Sequence, residues 1–209
     1  MKKNTVFTYK VGRGVYINLT NRCTNRCDFC IRQNGDGVYG SDTLWLEREP
    51  SASEVLEDIK KYDPSSYDEF VFCGYGEPTM RMEVLSSVGR ELKKLYGKPV
   101  RLNTNGQACL INGRDVTPML EGAVDIVSVS LNAADAEKYD AVCHSVFGPA
   151  AFDAILDFAR RCAPYVKTVV LSVVDTTLPE ADIAVCERLA SSVGAVLRVR
   201  RFDTGKETR

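Results

Sequence analysis

Apolar positions recur along this chain in two alternating rhythms. Short β-branched runs occur at residues 15–19, 70–73, 100–103, 126–131, 169–174 and 195–199. Between them lie longer stretches whose apolar positions return every three to four residues, the spacing of one helical face. Ser51 and Glu54 carry the pattern of a reciprocal helix N-cap, and Val55, Ile59 and Tyr62 come after it on one face. Leu85, Val88, Leu92 and Leu95 mark a second helix, stopped by Gly97 and Pro99. Residues 114–122 predict a short helix, and Phe152, Ile155, Ala159 and Cys162 another. Pro179 opens the last, with Ile183, Cys186, Leu189, Ala190 and Val193 inward and Gly194 at its end. Strands separated by helices predict a parallel sheet in one domain, 1–209, either doubly wound or an incomplete barrel.

The residues just after each strand choose between the two. The first run leads into Cys23-Thr-Asn-Arg-Cys27-Asp-Phe-Cys30, the second into Gly74-Tyr-Gly-Glu-Pro78 and the third into Asn103-Thr-Asn-Gly106. Ser130 and Asn132 end the fourth. Parallel barrels gather their active-site residues at these carboxyl ends. The expected fold is therefore α/β, an incomplete (β/α)6 TIM-like barrel. Side-chain alternation turns Asn18, Asn103, Ser128, Ser130 and Ser172 inward, and Arg198 and Arg200 into the barrel mouth, with Leu197 and Val199 toward the helices. A solvated sheet end is the other reading of the two arginines.

Three thiolates as closely spaced as Cys23, Cys27 and Cys30 can hold three irons of a [4Fe–4S] cluster and leave the fourth open to a substrate. Zinc is the competing use of clustered cysteines. Structural zinc is normally closed by four ligands, often as two pairs. No second pair is present, and Cys143-His144 is the only other local Cys/His combination. A zinc- or Fe–S-stabilised binding module without turnover remains the non-enzyme reading.

Composition changes the picture little. The chain has 209 residues, 44% apolar and 26% charged, with formal net charge −1, so no bulk attraction to nucleic acid or membrane is expected. The start MKKNTVFTYK is basic but lacks a signal peptide's apolar stretch, and no run approaches a membrane span. A cytoplasmic protein with reduced thiols is expected. Cys73, Cys109, Cys143, Cys162 and Cys186 are scattered and read as small buried apolar residues.

The cysteine loop, with an aromatic before its third cysteine and GYGEP after the next strand, resembles radical S-adenosylmethionine (radical SAM) enzymes. NLTNRCTNRCDFCIR, LWLEREPS and FCGYGEPTMR resemble, more narrowly, the TatD-nuclease-associated radical SAM family. The resemblance implies a [4Fe–4S] cluster on Cys23, Cys27 and Cys30, with S-adenosyl-L-methionine chelating the open iron. It implies reductive cleavage to methionine and a 5′-deoxyadenosyl radical that takes hydrogen from an unidentified substrate. It places Phe29 near the adenine. Gly74, Tyr75, Gly76, Glu77 and Pro78 would receive the methionine ammonium, Tyr75 standing where a second glycine is commoner. Asn103, Thr104 and Asn105 would approach the cofactor, and Ser130 and Asn132 its ribose or carboxylate. Ser172 and Val173 would line the adenine by strand count, and Arg198 joins the same set.

The resemblance also implies an external electron donor, flavodoxin- or ferredoxin-like, and a functional link to a TatD-type nuclease. Neither a cysteine-rich carboxyl-terminal extension nor an RNA-binding domain is expected, which leaves a nearly bare catalytic core. Activities like those of 7-carboxy-7-deazaguanine synthases or glycyl-radical-activating enzymes are the alternatives. Arg13, Arg22, Arg26 and Arg32 around the loop, with Arg198, Arg200 and Arg201 across the rim, would receive an anionic substrate, offset the cluster, or simply be solvated. Gly35-Asp-Gly-Val-Tyr-Gly40 reads as a mobile lid. Trp45 reads as a packing residue.

Overall fold

The computed structural model describes residues 6–175, 178–201 and 205. The first five residues of the basic start, and residues 202–204 and 206–209 at the other end, lie outside the described residues. Among the described residues seven strands form one sheet in sequential order. β1 (Thr8–Val11) and β2 (Gly14–Ile17) make an antiparallel hairpin. From β2 onward every neighbour is parallel: β3 (Glu69–Phe72), β4 (Val100–Thr104), β5 (Ile126–Ser130), β6 (Thr168–Val174) and β7 (Val196–Arg200). Helices fill the crossovers: α1 (Ala52–Ile59), α2 (Met82–Tyr96), α3 (Ala108–Asn112), α4 (Ala136–Cys143), α5 (Ala150–Cys162) and α6 (Glu180–Ser192). The six parallel strands form an incomplete (β/α)6 barrel, as expected.

Several boundaries differ from the sequence pattern. The hairpin partner β1 was not anticipated; it turns at Gly12, whose φ of 54° suits glycine. Residues 114–122 contain only a 3-10 turn at Thr117–Leu120. Helices α3 and α4 are short, and neither displays a repeating apolar face. In α4 only Tyr139 and Cys143, one turn apart, are buried, and Asp135 caps it by accepting the Lys138 amide at 2.8 Å. The expected cap of α1 is present: Ser51 accepts the Glu54 amide and donates its own to Glu54 Oε2 at 2.9 Å.

Alternation divides the sheet into two faces. Ile17, Phe70, Phe72, Leu102, Val127, Val129, Leu171 and Val173 are fully buried against the helices in one continuous core. Val173 therefore belongs to that core and not to the cofactor face. The intervening residues Asn103, Ser128, Ser130 and Ser172 face a cavity on the other side. At β7, Leu197 packs on the core as expected, but Val199 is 46% exposed and also borders the cavity. β7 is an edge strand, and among the described residues its outer half is exposed.

Asp125 ties three strands together just before β5. Its carboxylate accepts the Val100 amide at 3.0 Å, Lys93 Nζ at 2.7 Å and Lys167 Nζ at 3.1 Å. Its carbonyl accepts the amides of Lys167 and Thr168. Burial alone would raise the carboxyl's pKa, but Lys93, the Val100 amide and Lys167 outweigh it and hold the pKa below the ordinary range. Among the described residues no helix is long and apolar enough to cross a membrane.

Because its folded pKa is depressed, the contribution of Asp125 is complete above the ordinary carboxylate range and is lost as pH falls through the folded value. Asp125→Asn is expected to cost about 1–3 kcal/mol near neutrality and to flatten the acid limb of stability. Urea unfolding across the acid range checks this; an unchanged acid limb in the variant contradicts it.

Candidate active site at the carboxyl ends of the strands

The cysteine loop has almost no regular structure, so its shape comes from the elements it docks on. The Arg26 amide donates to the Cys143 carbonyl at 2.9 Å, and the Asp28 amide to the Val142 carbonyl at 3.1 Å. These are carbonyls at the end of α4, which a helix leaves without partners. The Val146 amide returns the contact by donating to the Thr24 carbonyl at 2.9 Å. Outside the bend, His144 Nε2 meets Asp28 Oδ1 at 2.8 Å, with the His144 backbone left-handed at φ 46°.

A buried polar network holds the loop from beneath. Thr24 donates to Gln107 Oε1 at 2.7 Å, and Gln107 Nε2 donates to Asn25 Oδ1 at 2.8 Å. Asn25 Nδ2 donates to the Tyr139 hydroxyl at 2.8 Å, and Asn105 Nδ2 to Thr24 Oγ1 at 2.8 Å. Asn105 Oδ1 takes the Gln107 amide at 3.0 Å. Asn105 thus borders the cavity while its amide is taken up by Thr24 of the loop and by the Gln107 backbone. Gln107 and Tyr139 escaped the sequence reading, because neither lies in a chemical motif.

The glycine turn clamps the loop from the other side. A Cβ on Gly76 would stand 2.3 Å from the Thr20 carbonyl oxygen and 2.6 Å from that of Arg22. A Cβ on Gly74 would stand 2.1 Å from Asn18 Oδ1. The Glu77 amide donates to the Arg22 carbonyl at 2.8 Å. Asn18 was expected to face the ligand. It is buried beneath Gly74 and donates to the Leu44 carbonyl at 2.7 Å, so it is a support. Glu77 accepts four donors: the Thr79 amide and hydroxyl, the Thr104 hydroxyl at 2.7 Å and the Asn105 amide at 2.7 Å. Burial nevertheless leaves its pKa raised. The carboxylate joins the turn after β3 to the turn after β4.

Tyr75 explains its own presence in place of glycine. Its backbone is not left-handed, and its buried ring meets Trp45 edge-on, centroids 5.0 Å apart. Its hydroxyl donates to the Gly35 carbonyl at 2.7 Å. Trp45 accordingly packs, as expected. The lid expected at residues 35–40 is tied down instead. The Leu44 amide donates to the Asp36 carbonyl and the Tyr39 amide to that of Gly205, both at 2.7 Å, while Val38 is buried.

These turns enclose one cavity of about 660 Å³. Its wall holds Cys23, Cys27, Cys30 and Phe29; Gly74, Tyr75, Gly76, Glu77 and Pro78; and Asn103, Thr104 and Asn105. Ser130, Asn132, Ser172 and Arg198 complete the set picked from sequence. Arg101, Arg200, Cys73 and Tyr16 also line it.

The arginines expected around the loop divide. Arg13 pairs with Asp68 at 2.6 Å, and Arg22 with Glu49 at 2.7 Å. Arg26 is exposed, and Arg32 donates to the Asn25 carbonyl at 3.4 Å. None of these four borders the cavity.

The donor set fits an iron–sulfur cluster with a bound cofactor. Burial pushes the Cys23 thiol up to about 12 and raises Cys30. Cys27 is raised too, first by its hydrogen bond with Cys143 and then by burial. Such thiols become thiolates when a metal compensates them. Cys143 was expected to be a buried apolar residue. It is buried, but it touches Cys27 and accepts from Asn132 Nδ2 at 3.5 Å. In the same wall, Asn103 Oδ1 and Asn132 Oδ1 are buried without a hydrogen-bond partner. Such orphaned acceptors are costly unless a ligand donates to them.

The family model of the radical SAM superfamily matches residues 17–189. The chain belongs to the radical SAM superfamily. The superfamily implies a [4Fe–4S] cluster and S-adenosylmethionine. The GTP 3′,8-cyclase of Lactiplantibacillus plantarum is 27% identical over 126 residues, 60% of this chain and 35% of that protein. The tungsten-containing aldehyde ferredoxin oxidoreductase cofactor-modifying protein of Pyrococcus furiosus is 29% identical over 118 residues, 56% of this chain and 30% of that one. The chain thus spans about a third of the length of these curated relatives. A radical SAM methyltransferase from Sphaerobacter thermophilus superposes with TM-score 0.64 at 17% identity, covering 90% of this chain and 55% of the other. HydG, a maturase of the [FeFe]-hydrogenase, superposes with TM-score 0.65 at 13% identity, covering 91% and 42%. At such identities the structures establish the shared fold.

Gly76→Ala forces a methyl against two loop carbonyls that cannot yield. It is expected to destabilise the chain by about 1–3 kcal/mol and to lower iron uptake. Thermal unfolding and iron content after anaerobic reconstitution check this. Parent-like values for both would mean the clamp does not shape the loop.

Proposed function

We propose that this radical SAM enzyme binds and cleaves S-adenosylmethionine in the cavity at the strand ends and acts there on a substrate held deeper in the barrel. One observation carries this reading: the three-cysteine loop and the orphaned Asn103 and Asn132 oxygens border the same cavity. A [4Fe–4S] cluster held by Cys23, Cys27 and Cys30 would supply the one electron that reductive cleavage of the cofactor's sulfonium needs.

The chain's residues hold and orient. Cys23, Cys27 and Cys30 take three irons. Asn103 and Asn132 each offer a fixed carbonyl oxygen to the cofactor's hydroxyl or amino hydrogens. Phe29 offers its ring to the adenine, and Ser130 and Ser172 offer hydroxyls from adjacent, paired strands. Glu77 is occupied by four donors, so it fixes the turn whose backbone faces the methionine ammonium. The surrounding wall limits water at the reacting centre.

The finer family reading, a TatD-nuclease-associated protein, is supported by LWLEREPS and the segments flanking the cysteines and GYGEP. A flavodoxin- or ferredoxin-like donor in a reducing cytoplasm would supply the electron.

Anaerobic reconstitution with iron and sulfide is expected to give a brown protein with about four irons per chain. With dithionite it should convert S-adenosylmethionine to 5′-deoxyadenosine, read by chromatography. Cys23→Ala, Cys27→Ala and Cys30→Ala should each abolish the conversion. A colourless zinc protein without cleavage would overturn the reading.

A further inference from the structure

One buried thiol lies beside the cysteine loop and has no part in the three-iron donor set. Cys143 ends α4 and is fully buried. Its carbonyl accepts the Arg26 amide at 2.9 Å, and the Val142 carbonyl accepts the Asp28 amide at 3.1 Å. These two bonds bracket Cys27, so the end of α4 is held against that cysteine. The Cys27 and Cys143 side chains meet there in a hydrogen bond.

The other partners of Cys143 set the direction of that bond in the loaded protein. A thiol has one hydrogen to give and a sulfur that accepts. Asn132 Nδ2 donates to Cys143 Sγ at 3.5 Å. Tyr139 lies one turn earlier on the same face of α4. Its hydroxyl oxygen accepts from Asn25 Nδ2 at 2.8 Å and from Gln107 Nε2 at 3.0 Å, which leaves its own hydrogen for Cys143. Two donors thus occupy the Cys143 sulfur, and its S–H is left for Cys27. A cysteine that binds iron gives up its proton, so a ligated Cys27 can only accept. The Asn132 that holds this sulfur also borders the cavity, with its Oδ1 buried and unpartnered.

We propose that Cys143 is a positioning residue for the cluster: its S–H donates a hydrogen bond to the sulfur of the ligand Cys27 and makes the cluster easier to reduce. This rests on the cavity being the radical SAM site. Reduction adds negative charge to the irons and their thiolates, and a donor at a ligand sulfur stabilises that charge. Asn132 and Tyr139 polarise the thiol in the same sense, because each donates to the sulfur whose hydrogen is given away.

The reduction potential of the reconstituted chain tests this, read by electron paramagnetic resonance during an anaerobic titration without S-adenosylmethionine. Cys143→Ala and Cys143→Val remove the donor, and Cys143→Ser keeps one. Losing the donor should make reduction about tenfold less favourable, a fall of about 60 mV for one electron. The serine variant should recover most of the loss, and every chain should hold about four irons. The valine variant keeps apolar bulk, so it decides if the alanine variant does not fold. Equal potentials in the parent and the donorless variants would overturn the proposal. A serine variant as low as valine would do the same, because that pattern belongs to packing. Iron loss in all three variants, to the level of Cys27→Ala, would make Cys143 a ligand and also overturn it. A parent chain that assembles no iron cluster defeats the wider reading and this one together. A parent that cleaves S-adenosylmethionine while the potentials coincide defeats this one alone.

Discussion

Everything at this site depends on two backbone hydrogen bonds, from Arg26 and Asp28 to the last carbonyls of α4. A loop of eight residues with three cysteines has many conformations, and only a few present three thiols to one cavity. The end of α4 offers carbonyls that the helix cannot satisfy itself. The loop offers amides that no strand or helix of its own uses. Each group would be costly left alone in a buried place, so the pairing is mutual. The network of Thr24, Asn25, Asn105, Gln107 and Tyr139 adds direction, because every polar atom in it has a definite partner. The glycine turn then closes the other side at van der Waals contact with the loop's carbonyls.

The sheet supports this arrangement by a plain rule. Strands that bury one face against helices must present the alternate residues to the other side. In a closed barrel those alternates are mostly aliphatic and fill the interior. Here they include Asn103, Ser128, Ser130, Ser172, Arg101 and Arg198, so the interior stays open and polar. Asp125 holds the lower ends of β4, β5 and β6 in register, which keeps the alternation in step across the sheet. A slip of one residue in any strand would exchange core for cavity.

Much of the site was legible because its chemistry is short-range in sequence. The cysteine spacing, the glycine–glutamate turn and the Asn-Thr-Asn-Gly segment each announce themselves within a few residues. Strand alternation then placed the serines and Arg198 on the right face. The misses share a cause: their function depends on partners distant in sequence. Gln107 matters because Thr24 and Asn25 arrive beneath it, and Cys143 because α4 ends against Cys27. Asn18 and Asn105 have the right chemistry, yet Asn18 lies beneath Gly74 with its Nδ2 on the Leu44 carbonyl, and the Asn105 amide is taken up by the Thr24 hydroxyl and the Gln107 backbone amide. Arg101 lay in an ordinary strand segment, and only the fold shows that it borders the cavity with a buried Nε left unpartnered. Residues 35–40 looked like a lid from their glycines, but Tyr75 and its packing partners hold them.

The amino-acid sequence alone determined the repeating strand and helix order, the placement of motifs at the carboxyl ends of strands and the three-thiol donor set. These come from periodicity and local spacing, which need no knowledge of distant contacts. Only the tertiary structure decided which polar groups are occupied and which are left to a ligand. It showed Glu77 and Asn105 enclosed by their neighbours, with Asn103, Asn132 and Arg101 each keeping a buried polar atom unpartnered. The physical reason is that hydrogen-bond satisfaction is a property of pairs. A side chain's partners are fixed by how remote segments pack, and that information exists only once the chain has folded.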